Sequence, residues 1–259
     1  MTKTERIKYL NEILLDEMPY HKSDAETFPQ TLKSQRRLLR SLMNMRPPAP
    51  INADFLREQD ILLQEELIEK GIVTLDEISD GKQMIIWQGD ITRLATDAIV
   101  NAANSALLGC FIPCHGCIDN AIHSAAGLQL RNACFNIMQI KGHDEPTGQA
   151  EITPAFNLPC RYVIHTVGPI IGGDEPTAEQ CGLLESCYRS CLKLAKEKNL
   201  ESIAFCCVST GAFHFPNRKA AEIAVSVVKD WLSNGNSITV VFNVFKDEDL
   251  FIYRDILRL

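Results

Sequence analysis

Three cysteines and a histidine fall within eight positions of this chain, Cys110, Cys114, His115 and Cys117, and a helix-like residue pattern begins at Ile118. Thiolates and an imidazole are soft or borderline donors, so the group suits zinc or an iron–sulfur cluster better than a hard cation, which takes oxygen ligands. Pro113 and Gly116 put the donors on a loop, and Asp119, just past the last cysteine, adds a carboxylate that could orient or deprotonate a water. Two zinc arrangements fit the spacing. All four residues could close a structural site, or three could leave the fourth position to water or a substrate oxygen. The side chains of the sequence neighbours Cys114 and His115 tend to diverge, which favours the open site.

Such a loop needs a rigid host, and the chain supplies one after Lys82. Short apolar, β-branched runs alternate there with helical patterns. Strands are expected at 84–88, 98–100, 162–167, 203–208 and 238–245, and helices near 119–140, 178–198 and 219–233. Thr177-Ala-Glu-Gln180 reads as a capping box for the middle helix. Apolar strands interleaved with helices predict a sheet covered on both faces, hence a three-layer α/β/α domain whose ligands bind beyond the carboxyl ends of the strands. Unusual polar residues gather at those ends: Gln88-Gly-Asp90, Asn101-Ala-Ala-Asn104 and Ser209-Thr-Gly-Ala-Phe-His-Phe-Pro216. A Ser-Thr-Gly turn between strand and helix offers consecutive N–H groups to a phosphate or diphosphate.

Residues 1–81 read as a separate helical module. Apolar stripes run through Ile7, Leu10, Ile13 and Leu14, through Leu38, Leu39, Leu42 and Met43, and through Phe55, Leu56, Leu62, Leu63 and Leu67. Pro47 and Pro48 end the second helix, Asn52 can cap the third, and Gly71 can close it with a left-handed residue. The default role is a packing cover for the domain after Lys82. Lys33, Arg36, Arg37 and Arg40 form the one basic cluster, read as the charged side of an amphipathic helix.

Five ordered blocks, Gly89-Asp-Ile-Thr92, Asp97-Ala-Ile-Val-Asn-Ala-Ala-Asn104, Asp119-Asn-Ala-Ile-His-Ser-Ala-Ala-Gly127, Val163-Ile-His-Thr-Val-Gly-Pro169 and Ser209-Thr-Gly211, together resemble the macrodomain family over residues 82–259. The resemblance implies a macrodomain fold with a mixed central sheet and a pocket for ADP-ribose, which many members hydrolyse from modified proteins. It implies that Asp90 accepts from the adenine amino group and that the Ile91 N–H reaches the ring, with Asn243 and Phe245 at its border. Ser209, Thr210, Gly211, Ala212 and Phe213 would surround the diphosphate, the Ile118 N–H would help from the facing loop, and Asn104 and Asp119 would lie at the distal ribose as the catalytic pair.

Where many hydrolytic members carry a run of glycines before the matching aspartate, this chain has Cys110 to Ile118. That version resembles a zinc-containing bacterial branch, often encoded beside a sirtuin-type ADP-ribosyltransferase and a lipoyl-carrier protein. It implies Cys110, His115 and Cys117 as zinc ligands, with Cys114 variable, and mono-ADP-ribose on an acidic side chain as the substrate. Non-catalytic reading of ADP-ribose and hydrolysis of O-acetyl-ADP-ribose use the same pocket and stand as alternatives. The cysteine spacing also matches the cluster-binding pattern of radical SAM enzymes, but the five flanking blocks have no place in that family.

Composition narrows the setting. The chain has 259 residues, 46% of them apolar, and a formal net charge of -7, which provides no general field for a nucleic-acid backbone. No run approaches the ~18 apolar residues of a membrane span. The N-terminus has charges throughout and no apolar signal segment, so the ten cysteines are expected reduced and the protein cytoplasmic. Cys187 and Cys191 on a helical stripe, and Cys206 and Cys207 in a strand, read as small core residues. His123 and His165 are expected to be structural, and His143, Asp144 and Glu145 to lie in a solvated loop.

Overall fold

The architecture follows from the alternation of apolar runs and amphipathic segments, and a computed structural model describes residues 1–79, 81–173 and 175–258. Four helices come first, α1 (Lys3–Glu17), α2 (Lys22–Glu26), α3 (Leu32–Met45) and α4 (Ala53–Lys70), followed by β1 (Val73–Thr74) and α5 (Leu75–Ile78). Then come β2 (Met84–Gln88), β3 (Leu94–Ala95), β4 (Ala98–Ala102), α6 (Ile118–Ala126), α7 (Leu128–Lys141), β5 (Ala150–Pro154) and β6 (Tyr162–Thr166). The chain closes with α8 (Ala178–Glu197), β7 (Ser202–Phe205), α9 (Asn217–Ser233), β8 (Thr239–Val244) and α10 (Asp247–Leu257).

Six strands form one sheet in the order β2-β8-β7-β4-β6-β5. All neighbours are parallel except β5, which runs antiparallel to β6 at the edge, so the sheet is mixed as expected. Helices α8 and α10 pack on α9 and on the sheet, α6 and α7 pack on each other and on the sheet, and α9 adds Val225, Val227 and Val228 to the core. The largest apolar cluster fills the space between helices and sheet, drawing Ile99, Val100, Ile164, Ile203 and Phe242 from the strands and Ile122, Leu184 and Val228 from the helices. Leu184, Cys187 and Cys191 are buried there, as their shared stripe predicts, and all ten cysteines are free thiols.

The first four helices enclose their own cluster, in which Ile7, Leu10, Leu14, Leu39, Leu42, Phe55 and Leu62 meet Leu128 of α7. Asn52 caps α4, accepting from the amides of Asp54 and Phe55, Gly71 follows the helix with φ +80°, and Thr177 with Gln180 forms the capping box of α8. Among the described residues, no helix is long and apolar enough to cross a membrane.

Four features depart from expectation, the first being that β7 ends at Phe205 and leaves Cys206 and the partly buried Cys207 just beyond it. The helix over 119–140 is two helices, because Gly127, at φ +94°, breaks it and the buried Gln59 of α4 accepts from the Leu128 N–H that starts the second. Strand β5 lacks an apolar run and shows only through its pairing. Glu145 is buried rather than solvated, ion-paired with Lys141, which also reaches Glu151, while His143 and Asp144 are exposed.

Candidate active site

The carboxyl end of β4 runs into a stretch without helix or strand over residues 103–117, and this stretch carries the cysteine-rich loop. Its start is held by side chains around it. Arg131 of α7 donates through Nε to Leu108 O (2.7 Å), and Asn104 donates through Nδ2 to Gly109 O (3.1 Å) while its Oδ1 accepts from the Ala106 N–H. Gly109, with φ +79°, lies so close to the His123 ring that a Cβ would come within 2.9 Å of it. Phe111 then lies under the Arg131 guanidinium, 4.3 Å from its centre.

Beyond Phe111 the donors converge. Cys110 Sγ lies 3.6 Å from His115 Nδ1, and one donor atom from each of Cys110, His115 and Cys117 lies within 4.8 Å of the others. Ligands on a tetrahedral zinc with bonds of ~2.0–2.3 Å stand roughly 3.6 Å apart, so the donor set fits that ion in both chemistry and spacing. Burial pushes the Cys117 thiol up to about 11, opposed by the Asn120 N–H and reinforced by the neighbouring Cys110. A bound cation favours the thiolate form in which a cysteine ligates a metal. Cys114 is turned away, with φ +51° and its Sγ directed at Arg37 O at 3.5 Å.

Cys117 is also the N-cap of α6, which brings Asp119 into the first helical turn with its carboxylate buried. Asn101 Nδ2 donates to Asp119 Oδ1 at 2.8 Å, and Asn104 Nδ2 lies 3.4 Å from Oδ2. Burial raises the Asp119 carboxyl to about 6, against the pull of the Asn101 hydrogen bond and of Arg131. His123 Nε2 is 3.5 Å from Oδ1, and burial, with His165 and Arg131 nearby, holds this imidazole neutral. His165 is enclosed at the level of Asn101, its register partner across β4 and β6, and Thr153 Oγ1 lies 2.9 Å from its Nε2. His123, Cys134 and His165 form a second close group, sealed in the interior.

The remaining expected residues line the same end of the sheet. Asp90 Oδ1 accepts from the Thr92 amide and hydroxyl, and Ile91 is buried. Asn243 is buried with its amide nitrogen on Gly89 O (3.0 Å) and Trp87 O (3.4 Å), so it fixes the strand end that presents Asp90. Phe245 is exposed. Between β7 and α9 the chain bends tightly, Ser209 at φ +66°, with Phe215 N–H on Ser209 O and His214 N–H on Gly211 O. Consecutive amides at such a bend, together with the first-turn amides of α6 from Ile118, are donors suited to an anion. His214 is exposed and takes φ +56°, a conformation ordinarily left to glycine.

Two residues that contact this cluster escape a reading of spacing alone. Asn101 orients the Asp119 carboxylate, and its signal is an amide inside an apolar strand run. Arg40, taken as part of a solvated face, is partly buried and donates to Asn120 Oδ1 at 2.7 Å.

The macro domain family model matches residues 100–224. A protein-ADP-ribose hydrolase of Treponema medium is 52% identical over 99% of this chain and 100% of its own length, and one of Staphylococcus aureus is 44% identical over 94% and 93%. The solved macrodomain of Oceanobacillus iheyensis with ADP is 42% identical, with a TM-score of 0.61 over 68% of this chain and 90% of its own. The Trypanosoma brucei macrodomain in complex with ADP-ribose aligns with a TM-score of 0.65 at 28% identity over 84% of this chain and 94% of its own. With the sheet order, the strand-end residues and full-length relatives in agreement, the chain belongs to the macrodomain family.

Proposed function

We propose that the chain is a protein-ADP-ribose hydrolase that removes single ADP-ribose units from acidic side chains, cleaving the bond between C1″ of the distal ribose and the side-chain carboxylate. The observation that carries this reading is the buried Asp119 carboxylate two residues past Cys117, beside a three-donor cluster at the carboxyl end of the sheet. The names of the full-length relatives and the nucleotides held by the solved macrodomains support it. Cys110, His115 and Cys117 would hold a zinc ion, which supplies Lewis acidity at the scissile centre.

The chain's own groups do the rest. Asp90 takes the adenine amino group, the Ile91 N–H meets the ring, and Asn243 and Phe245 border it. The loop from Ser209 through Thr210, Gly211, Ala212 and Phe213 cradles the diphosphate, with the Ile118 N–H opposite. At the distal ribose Asn104 steadies the sugar, while Asp119, held by Asn101, orients a water and takes its proton. The water oxygen bonds to C1″, the C1″–O bond breaks, and the carboxylate of the modified protein leaves as an anion.

The same reading divides the chain into a helical module over residues 1–81 and a macrodomain over 82–259. Free thiols beside a cysteine–histidine donor set suit the reducing cytoplasm. A lipoyl-carrier protein is the modified partner to test first, since the resemblance to the zinc-containing branch points to it.

Asp119→Asn keeps the shape and loses the proton acceptor. It is expected to lower single-turnover release of ADP-ribose from a Glu-modified protein by about 10²–10⁴-fold, while calorimetric binding of ADP-ribose persists. Equal turnover in the folded variant contradicts the assignment. Binding without turnover by the unaltered chain makes the protein a reader, and preferential release of acetate from O-acetyl-ADP-ribose makes it a small-molecule esterase.

A further inference from the structure

The three donor residues are bracketed by a network that begins on an N-terminal helix. Arg40 of α3 donates through Nε and Nη2 to Asn120 Oδ1, at 3.2 and 2.7 Å, and through Nη2 to the carbonyl of His115 at 3.3 Å. Asn120 is fully buried. Its Nδ2 donates to Ile112 O at 3.0 Å and lies 3.4 Å from Cys110 O, and its backbone N–H points at Cys117 Sγ at 3.4 Å. One guanidinium and one asparagine therefore touch the backbone of two donors and the sulfur of the third. Asn44, one turn further along α3, accepts from the Cys114 N–H at 2.9 Å and holds that residue at positive φ, with its thiol off the cluster. Its Nδ2 reaches Ser124 Oγ on α6, at 2.9 Å, which closes the network.

We infer that Arg40 is a positioning residue for the metal loop, so that the N-terminal helices form part of the metal site's outer shell and set its affinity. The inference rests on the metal reading above. Its physical basis is that an arginine fork presents fixed, parallel donors to two acceptors at once, which a flexible ammonium cannot reproduce. Outer-shell partners that fix ligand orientation typically change metal affinity by about 10–100-fold when removed. Arg36, one turn earlier, pairs with Glu66 of α4 at 2.6 Å and fastens α3 to α4 within the helical module.

The test titrates the full chain with cobalt(II) against a chromophoric chelator, with thiolate-to-cobalt absorption as readout, for the unaltered protein and for Arg40→Met, Arg40→Lys and Arg36→Met. The cobalt dissociation constant is expected to rise by about 10–100-fold in both Arg40 variants and to stay unchanged in Arg36→Met, with helical circular dichroism retained in all. Arg40→Lys keeps the charge and the stem, so it reports on the fork if Arg40→Met fails to fold. An unchanged constant in either folded Arg40 variant overturns the positioning role, as does an equal rise in Arg36→Met, which would show general loosening. Absence of thiolate-to-cobalt absorption in the unaltered chain overturns the metal reading and this inference together.

Discussion

Gly109 joins the cysteine-rich loop to the helix that carries Asp119 and His123. Its φ of +79° and the 2.9 Å approach of a would-be Cβ to the His123 ring leave room for no side chain. Gly109→Ala is expected to destabilise the protein by about 1–3 kcal/mol, the usual cost of a strained backbone residue, read as a lower urea midpoint. An unchanged midpoint would show that the His123 ring moves freely, contrary to its burial. Spacing alone singles out Cys110, His115, Cys117 and Asp119, because their chemistry is unusual for so short a stretch. It does not single out Asn101, whose contact with Asp119 exists only once β4 lies beside β6 and α6 folds against the sheet.

At the scale of elements, the junction between α6 and α7 shows what the helical module contributes to the sheet domain. Gln59 of α4 is fully buried, accepts from the Leu128 N–H at 3.0 Å and donates to Gln129 Oε1 at 2.8 Å. Gln59→Ala leaves the Leu128 N–H without its acceptor and is expected to cost about 1–3 kcal/mol in chemical denaturation. No measurable loss would mean that water replaces the glutamine and that the module is a looser cover than its contacts imply. Gly127 gives a sequence hint of the break, but the residue that stabilises it lies on a distant helix, beyond the reach of local pattern. Strands β2, β4, β6, β7 and β8 are legible because they are continuous apolar runs in a doubly covered sheet. Strand β5 is not, since Glu151 and Pro154 on an edge strand carry no such signature.

For the whole molecule, the buried histidines link stability to pH. Burial holds His165 down to about 3 in the folded chain, against 6.5 as the ordinary value, and lowers His123 in the same direction. Below pH ~6.5 these histidines bind protons in the unfolded chain and not in the native one, so their contribution makes stability rise with pH, offset in part below pH ~6 by the Asp119 carboxyl, which burial raises to about 6. The contribution of His165 is complete above the ordinary histidine value and is lost progressively as pH falls toward 3. Its share of the slope is roughly 1.4 kcal/mol per pH unit in the intervening window. Urea denaturation at pH ~5 and ~7, on either side of the ordinary histidine value, should show the fall, and a folded His165→Gln variant should show a shallower one; equal slopes would place the linkage elsewhere.

The three-layer domain and the helical N-terminus are readable from pattern because the helices bury one face and the central strands bury both. The coupling between them is not, because Arg40, Asn44 and Gln59 look like surface residues of amphipathic helices until their partners on α6 and α7 are in place.

If Cys110, His115 and Cys117 hold a metal that acts with Asp119, as proposed, release of ADP-ribose depends on that metal. The direct measurement is release of ADP-ribose from an Asp/Glu-modified protein by the full chain before chelation, after chelation, and after zinc is restored, with calorimetric ADP-ribose binding measured in parallel. Release is expected to fall to the uncatalysed background on chelation, to return with zinc and to be absent in Cys117→Ser, while the folded protein still binds ADP-ribose. Full release by a metal-free, folded protein would contradict it.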